Sequence, residues 1–275
     1  MASGRGLRYT FNMNATKAAG EVLREWRQRR RMTQLDLALE AEISAKHLSF
    51  VETGRAQPSR EMVLNLAERL EMPLRERNAL LIAAGFAPVY AERPLSDPTL
   101  AKAREAVELV LKGHEPFPAV AVDRHWNVVS ANKPIGILLA SASHSLLKPP
   151  LNVIRISLHP EGLAPQIVNF HEVRAHLIAR LKRQIDLSGD TKLAALLQEV
   201  SAYPKPSRSV VPIREGNADD VVIKTILDTP AGRLSLFSTM TIFGSPVDVT
   251  LSELAIESFF PADSESAELL RKISA

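Results

Sequence analysis

Ile43–Pro58 reads ISAKHLSFVETGRAQP, and the fold of the first third of the chain turns on it. Ser44 is of the type that caps helix N-termini, and Leu48 and Val51 behind it have the spacing of an inward face. Lys46 and Phe50 are four residues apart and so share one side of the helical turn. The helix gives way to a loop carrying Gly54, Arg55 and Pro58. Upstream, Thr33 caps another helix, with Asp36 three residues on as a shortened capping-box partner. Leu35, Leu37, Ala38 and Leu39 supply its apolar content up to about Ala41, and a break follows at Glu42–Ile43. Leu23, Trp26 and Arg30 mark an earlier helix, from about Lys17 to Arg31. Pro58–Ser59 starts a fourth, in which Met62, Val63, Leu66, Ala67 and Leu70 keep the three-and-four spacing. Pro73 begins a fifth that ends at Gly85.

Pro88, Pro94 and Pro98 punctuate a connector, and the texture then changes. Asp97 caps and Pro98 opens a helix whose Leu100, Ala103, Val107, Val110 and Leu111 share a face, and Gly113 stops it. Short β-like runs follow at Ala119–Val122 and Trp126–Ser130. Next comes a helical middle, with Phe170, Val173, Leu177, Leu181 and Ile185 in register, then Leu193–Val200. Val221–Leu227 and Leu234–Phe243 read as strands flanking a hairpin connection over Asp228–Gly232. In the second of them Leu234, Leu236, Met240 and Ile242 alternate with Ser235, Thr239 and Thr241. Leu254–Phe260 is a further strand and Ser264–Ile273 a closing helix. The expected fold class is an all-α five-helix bundle followed by an α+β body with an antiparallel sheet.

Composition narrows the function classes. The chain has 275 residues, 45 % of them hydrophobic and 24 % charged, which is ordinary for a globular protein of two domains. It contains no cysteine, so disulfides and thiolate chemistry are excluded. Met1–Asn14 is short, polar and basic, unlike a signal peptide, and is expected to fray. The longest nearly apolar run, Ala79–Ala91, is interrupted by Gly85 and Pro88 and is about half the length needed to cross a bilayer. No membrane partner and a cytoplasmic location are the expectations. Residues 1–95 hold 15 Lys and Arg against 11 Asp and Glu, whereas the rest hold 19 against 20. A basic head on a neutral body suggests that the head meets a polyanion.

Several features favour a DNA-binding pair of helices over a merely structural one. Ala38 is small where the second helix must pack closely, and Ile43, Leu48 and Val51 have the spacing that seats it. Gln34 can reach a base or phosphate, and ETGRAQPS places backbone amides and Arg55 where a sugar–phosphate backbone can pass. These residues, with Leu23, Arg24, Arg27, Glu52, Gly54 and Pro58–Ser59, resemble a Cro/repressor-type (XRE family) helix-turn-helix domain. Glu42 departs from the family, which often has glycine there in a left-handed turn; a side chain at that point costs about 1–2 kcal/mol. The resemblance implies that Ser44–Glu52 is the recognition helix, with Ala45, Lys46, Ser49 and Phe50 toward the major groove. Lys46 would donate to guanine O6/N7, and Phe50 or Ala45 would meet a thymine methyl. Thr33, Gln34, Ser44, His47 and Arg55 complete the DNA-binding set, His47 against phosphate or solvent. Packing of Phe50 against Leu35 or the loop is an equal alternative.

In the body, His171-Glu-Val-Arg-Ala-His176 invites a metal reading, but histidines five apart lie about 140° apart round a helix, not on one face. No phosphate loop, nucleophile elbow or paired catalytic carboxylates are evident, so no enzymatic activity and no cofactor or metal are expected. Pro118–Asn132 (PAVAVDRHWNVVSAN), Asn152–Ile185 and the final strands resemble the MmyB-like transcription regulator ligand-binding domain, a PAS-like fold. The resemblance implies a small-molecule pocket, with fatty acids among the ligands. The expected walls are Trp126, Ile135, Leu138, Phe170, Leu177, Phe237 and Met240, with Arg174 as carboxylate partner; each is equally open to an ordinary core or surface role. The organisation expected is a helix-turn-helix domain over 15–86, a linker over 87–96 and a PAS-like ligand-binding domain over 97–275. The expected partners are double-stranded DNA, a fatty acid or other apolar small molecule, and a second copy in a homodimer. A body that serves as a protein-interaction or dimerisation platform without a pocket is the alternative.

Overall fold

The computed structural model describes residues 18–206, 223–244 and 248–274; the expected fraying of Met1–Asn14 and the start of the strand at Val221 lie outside them. The contacts divide the chain into two units between Tyr90 and Ala91. The first is the bundle of α1 (Ala19–Arg29), α2 (Gln34–Glu40), α3 (Ala45–Glu52), α4 (Arg60–Arg69) and α5 (Leu74–Ala83). Its core joins Leu23 and Trp26 of α1 to Leu37, Leu48, Val51, Leu66, Leu80 and Leu81, all buried. Burying each such side chain contributes about 1.5–3 kcal/mol. Caps set the starts: Thr33 and Asp36 form a capping box, Ser44 accepts from the His47 amide and Ser59 from that of Met62.

All five helices stop in the same way. The amide one residue past a left-handed residue donates back five positions: Met32 to Arg27, Ile43 to Ala38, Arg55 to Phe50, Met72 to Ala67 and Phe86 to Leu81. The left-handed residues are Arg31, Glu42, Gly54, Glu71 and Gly85, so the strained Glu42 expected from the sequence is one of three non-glycine examples. Gly20 has a different reason. A Cβ there would sit 2.4 Å from the Val51 carbonyl oxygen, so only glycine lets α1 touch the last turn of α3.

The second unit opens with a single 3-10 turn at Pro98–Leu100 that runs into α6 (Ala101–Gly113). It continues through β1 (Ala119–Val122), β2 (Val128–Ala131), α7 (Lys133–Leu139), α8 (Val153–Leu158), α9 (Phe170–Ser188) and α10 (Thr191–Ser201). Then come β3 (Thr225–Thr229), β4 (Gly232–Ile242), α11 (Val249–Ser252), β5 (Ala255–Pro261) and α12 (Ser264–Ser274). The strands form one antiparallel sheet in the order β2-β1-β5-β4-β3, a PAS-like arrangement. β1 is buried on both faces: Ala119 and Ala121 pack with Val107 and Leu111 of α6, while Val120 and Val122 join the larger core beneath α8, α9 and α10. The small residues admit a close helix, and the β-branched ones fill the thicker side.

Some local expectations are revised. The hairpin turn shrinks to Pro230–Ala231, because Thr229 pairs with Gly232 and Asp228 with Arg233 inside the ladder. Val110 is 45 % exposed rather than on the buried face of α6, and Met240 and Ile242 lie at an exposed end of β4. The connector is tied at both ends within its own unit: Asn78 holds Val89 and Tyr90, and Ala91 bridges to Asp248.

Candidate nucleic-acid interface and ligand cavity

On the bundle, the cap Ser44 and Lys46 of α3 are exposed, with Ala45, His47, Ser49 and Phe50 partly covered and Leu48 and Val51 inside. Ala45 leans on the core through its methyl. The Lys46 ammonium lies 5.8 Å from the centre of the Phe50 ring, so Phe50 is half-covered by its neighbour one turn away rather than enclosed by the bundle. Such a contact is worth about 0.5–1 kcal/mol at an exposed site. Leu35, the alternative partner for Phe50, stays 59 % exposed. Arg55 and Thr33 are both exposed, and Thr33 Oγ1 is already engaged by the Asp36 amide.

The arginines from Arg24 to Arg31 differ in what they meet. Arg27 is buried and donates to both Glu52 carboxylate oxygens, at 2.6 and 2.9 Å, and to the Met32 carbonyl. Gln34 donates one N–H of its side-chain amide to Glu52 Oε2 at 2.8 Å, which leaves its second N–H and its carbonyl oxygen to offer outward. Burial alone would raise the Glu52 carboxyl, but hydrogen bonds from Arg27 and Gln34 and the charges of Arg27 and Arg24 hold it below the usual range. Arg30 donates to the Leu70 and Glu71 carbonyls, closing the C-terminus of α4. Arg24 and Arg29 of α1 and Arg31 just past its end remain exposed, so they carry the outward positive charge of this segment.

In the second unit a cavity of about 120 Å³ lies between the sheet and α7, α8 and α9. Val120, Val128, Leu227, Leu236 and Phe259 form its sheet wall, and Ile135, Leu138, Val153 and Ile156 its helical roof. α9 adds Val173, His176, Leu177 and Arg180, spaced three, one and three apart, which is one stripe of an α-helix. Its polar end is built by long-range pairing. Glu257 of β5, 6 % exposed, accepts from Ser238 of β4 at 2.8 Å and from Arg180 at 3.3 Å, both on Oε1. The Arg180 guanidinium sits 4.5 Å over the Trp126 ring, whose N–H donates to Gln184. Burial, reinforced by Arg180 and Arg183 against the opposing charge of Glu257, pushes His176 below its ordinary range.

Of the expected wall residues, Ile135, Leu138 and Leu177 line this cavity. Trp126 instead lies beneath Arg180, held in a left-handed backbone conformation at φ 67°. Phe170 is 1 % exposed in the solid core. Phe237 is one residue out of phase with Leu236 and Ser238, so it faces the other side of the sheet and stacks on Phe260. Met240 shares the phase of Ser238 but lies past the cavity's end, 38 % exposed. Arg174, one step off the Val173–Leu177 stripe, donates to the Ser201 carbonyl. The cavity's cation is Arg180, and the helical period that selected Leu177 was the signal for it. His171 is exposed and His176 faces the cavity, so the two do not converge. Among the described residues no cluster of His, Asp or Glu could hold a metal ion, and no helix is long and apolar enough to cross a membrane.

Comparison with known families matches residues 18–80 to a helix-turn-helix domain and residues 103–273 to the MmyB-like transcription regulator ligand binding domain. No curated protein matches the chain. A solved RNA-binding light-oxygen-voltage receptor aligns over 94 % of this chain at 15 % identity and a TM-score of 0.27. The chain spans 61 % of that receptor's length.

Proposed function

This chain belongs to the family of MmyB-like transcription regulators, and from that premise we propose that a small apolar molecule in the cavity adjusts how its helix-turn-helix domain binds operator DNA. The chain is a transcription regulator with a DNA-binding domain and a ligand-binding domain. The observation that carries the finer reading is the cavity itself, apolar over most of its wall and with a connected polar group of Arg180, Ser238 and Glu257 on it. The reading of the body as a pocketless platform required its absence. A volume of about 120 Å³ is near the roughly 150 Å³ of an engineered cavity that holds benzene. It therefore favours a single ring or short chain over a long fatty acid.

The regulator works in the cytoplasm as a homodimer on a two-fold-related site, and ligand shifts the population of DNA-competent dimers. DNA selected from a random pool supplies the operator, and anisotropy reads its affinity with and without a saturating apolar ligand. A coupling of about 1–3 kcal/mol is the expected range, roughly a 5- to 150-fold change. Leu177→Trp, which fills the cavity, removes that response. An operator affinity indifferent to a bound ligand would overturn the proposal.

On the DNA side, Lys46 is the base-reading donor, Phe50, Ala45 and Ser49 shape the contact around it, and Arg55 meets a phosphate. Ser44, His47 and Thr33 border the sugar–phosphate path, and Gln34 contributes through its carbonyl oxygen and second amide N–H. Lys46→Ala lowers discrimination at one base pair by about 1–3 kcal/mol. Arg55→Ala weakens binding to all sequences and reduces the salt slope by about 1. Titrations of operator and scrambled DNA across a salt series separate the two roles. A changed sequence preference with an intact salt slope in Arg55→Ala would refute the phosphate contact.

A further inference from the structure

The cavity's polar end has a donor and acceptor pattern of its own. Among the described residues that line the cavity, Arg180 is the one full positive charge; it is already paired with Glu257, the one full negative charge, and is stacked on Trp126. Both protein donors to Glu257, from Ser238 and Arg180, land on Oε1. Glu257 Oε2 has no protein partner among the described residues, yet among them no fully buried side-chain polar atom is left without one. Oε2 therefore keeps some accessible surface, and Glu257 lines the cavity. An ionised carboxylate accepts hydrogen bonds and donates none.

The geometry points to a ligand whose polar end is a neutral hydrogen-bond donor, a hydroxyl or N–H group on a small apolar body, in preference to a carboxylate. Such a group donates to Glu257 Oε2 and completes the hydrogen bonding of a nearly buried anion. A carboxylate in the same place meets Glu257 as a like charge. To reach Arg180 it must displace Glu257 and leave that carboxylate desolvated and unpaired, which is the costly way to break a buried ion pair. His176 adds no counter-charge, since burial and the neighbouring Arg180 and Arg183 keep its imidazole neutral near neutral pH. Arg174, the other candidate to attract an anion, is engaged with the Ser201 carbonyl and does not line the cavity. The inference rests on the cavity being the ligand site.

Matched pairs of probes test it by calorimetry on the full-length protein at neutral pH: octanol against octanoate, and para-ethylphenol against para-ethylbenzoate. The donor of each pair binds about tenfold or more tightly. Glu257→Gln frees Arg180 and reverses the order, with the carboxylates gaining about tenfold. Equal or tighter binding of the carboxylates by the unmutated protein overturns the inference while leaving the cavity as the ligand site. Binding of neither member, or binding that persists undiminished in Leu177→Trp, overturns the cavity reading and this inference together. The unmutated protein decides the ranking even if Glu257→Gln does not fold.

Discussion

Glu52→Ala is expected to destabilise the helix-turn-helix domain by about 3–5 kcal/mol, because it strands a buried cation. Arg27 has its side chain 10 % exposed and gives two hydrogen bonds to Glu52, whose own side chain is 1 % exposed. Without the carboxylate, the guanidinium keeps only the Met32 carbonyl, and Gln34 loses the acceptor of its amide. A loss of that size is a large fraction of the roughly 5–15 kcal/mol that holds a typical domain together. The chain has two tryptophans, Trp26 in the first unit and Trp126 in the second, so a Trp126→Phe background lets fluorescence follow the first unit alone in urea. Replacing both partners, Arg27→Met with Glu52→Leu, recovers most of the loss if the pair's desolvation is the governing cost. A Glu52→Ala midpoint within experimental error of the parent would show that the pair contributes nothing.

The same pair sets a pH dependence. Because the folded Glu52 carboxyl is held below its usual range, its contribution is complete above the unfolded value of about 4.3. The contribution is lost as pH falls through the lower folded value. Urea midpoints of the first unit therefore drop below about pH 4, and Glu52→Gln flattens that part of the profile.

Phe170→Ala produces the second large effect, about 3–5 kcal/mol of lost stability in the ligand domain. Phe170 is 1 % exposed and packs in the solid core rather than on the cavity wall. The variant should unfold at lower urea, reported by Trp126 in a Trp26→Phe background, while the folded fraction binds octanol with unchanged affinity. A wall residue would behave in the opposite way, with the binding constant moving more than the unfolding midpoint. That outcome would restore Phe170 to the site.

Much of the first unit was legible because its determinants are local. Thr33, Ser44 and Ser59 cap helices where their residue types and following spacings said they would. Arg27 is the instructive case. It sits in a basic run with Arg24, Arg29, Arg30 and Arg31, yet it follows Leu23 by four and Trp26 by one, within the buried stripe of α1. In the body, the period of two in β4 already set Phe237 against Leu236, and the period of 3.6 in α9 grouped Arg180 with Val173 and Leu177, leaving Arg174 aside. Aromatic size and positive charge drew attention to Phe237 and Arg174; phase decided otherwise. Trp126 could not have been placed by periodicity, because its left-handed backbone interrupts the strand pattern.

By itself the sequence determined the caps and approximate extents of the five head helices, most of the apolar faces, and that a basic helical head precedes a mixed body. These follow from capping groups, φ preferences and hydrophobic spacing, all of which act over a few residues. Tertiary structure alone decided which charges are engaged. Arg27 meets Glu52 across 25 residues and Arg180 meets Glu257 across 77. No local period encodes such pairings; the packing of helix on helix and helix on sheet brings the groups together. That packing turned one arginine of the basic run into a structural post. It also turned the cavity's cation into half of an ion pair.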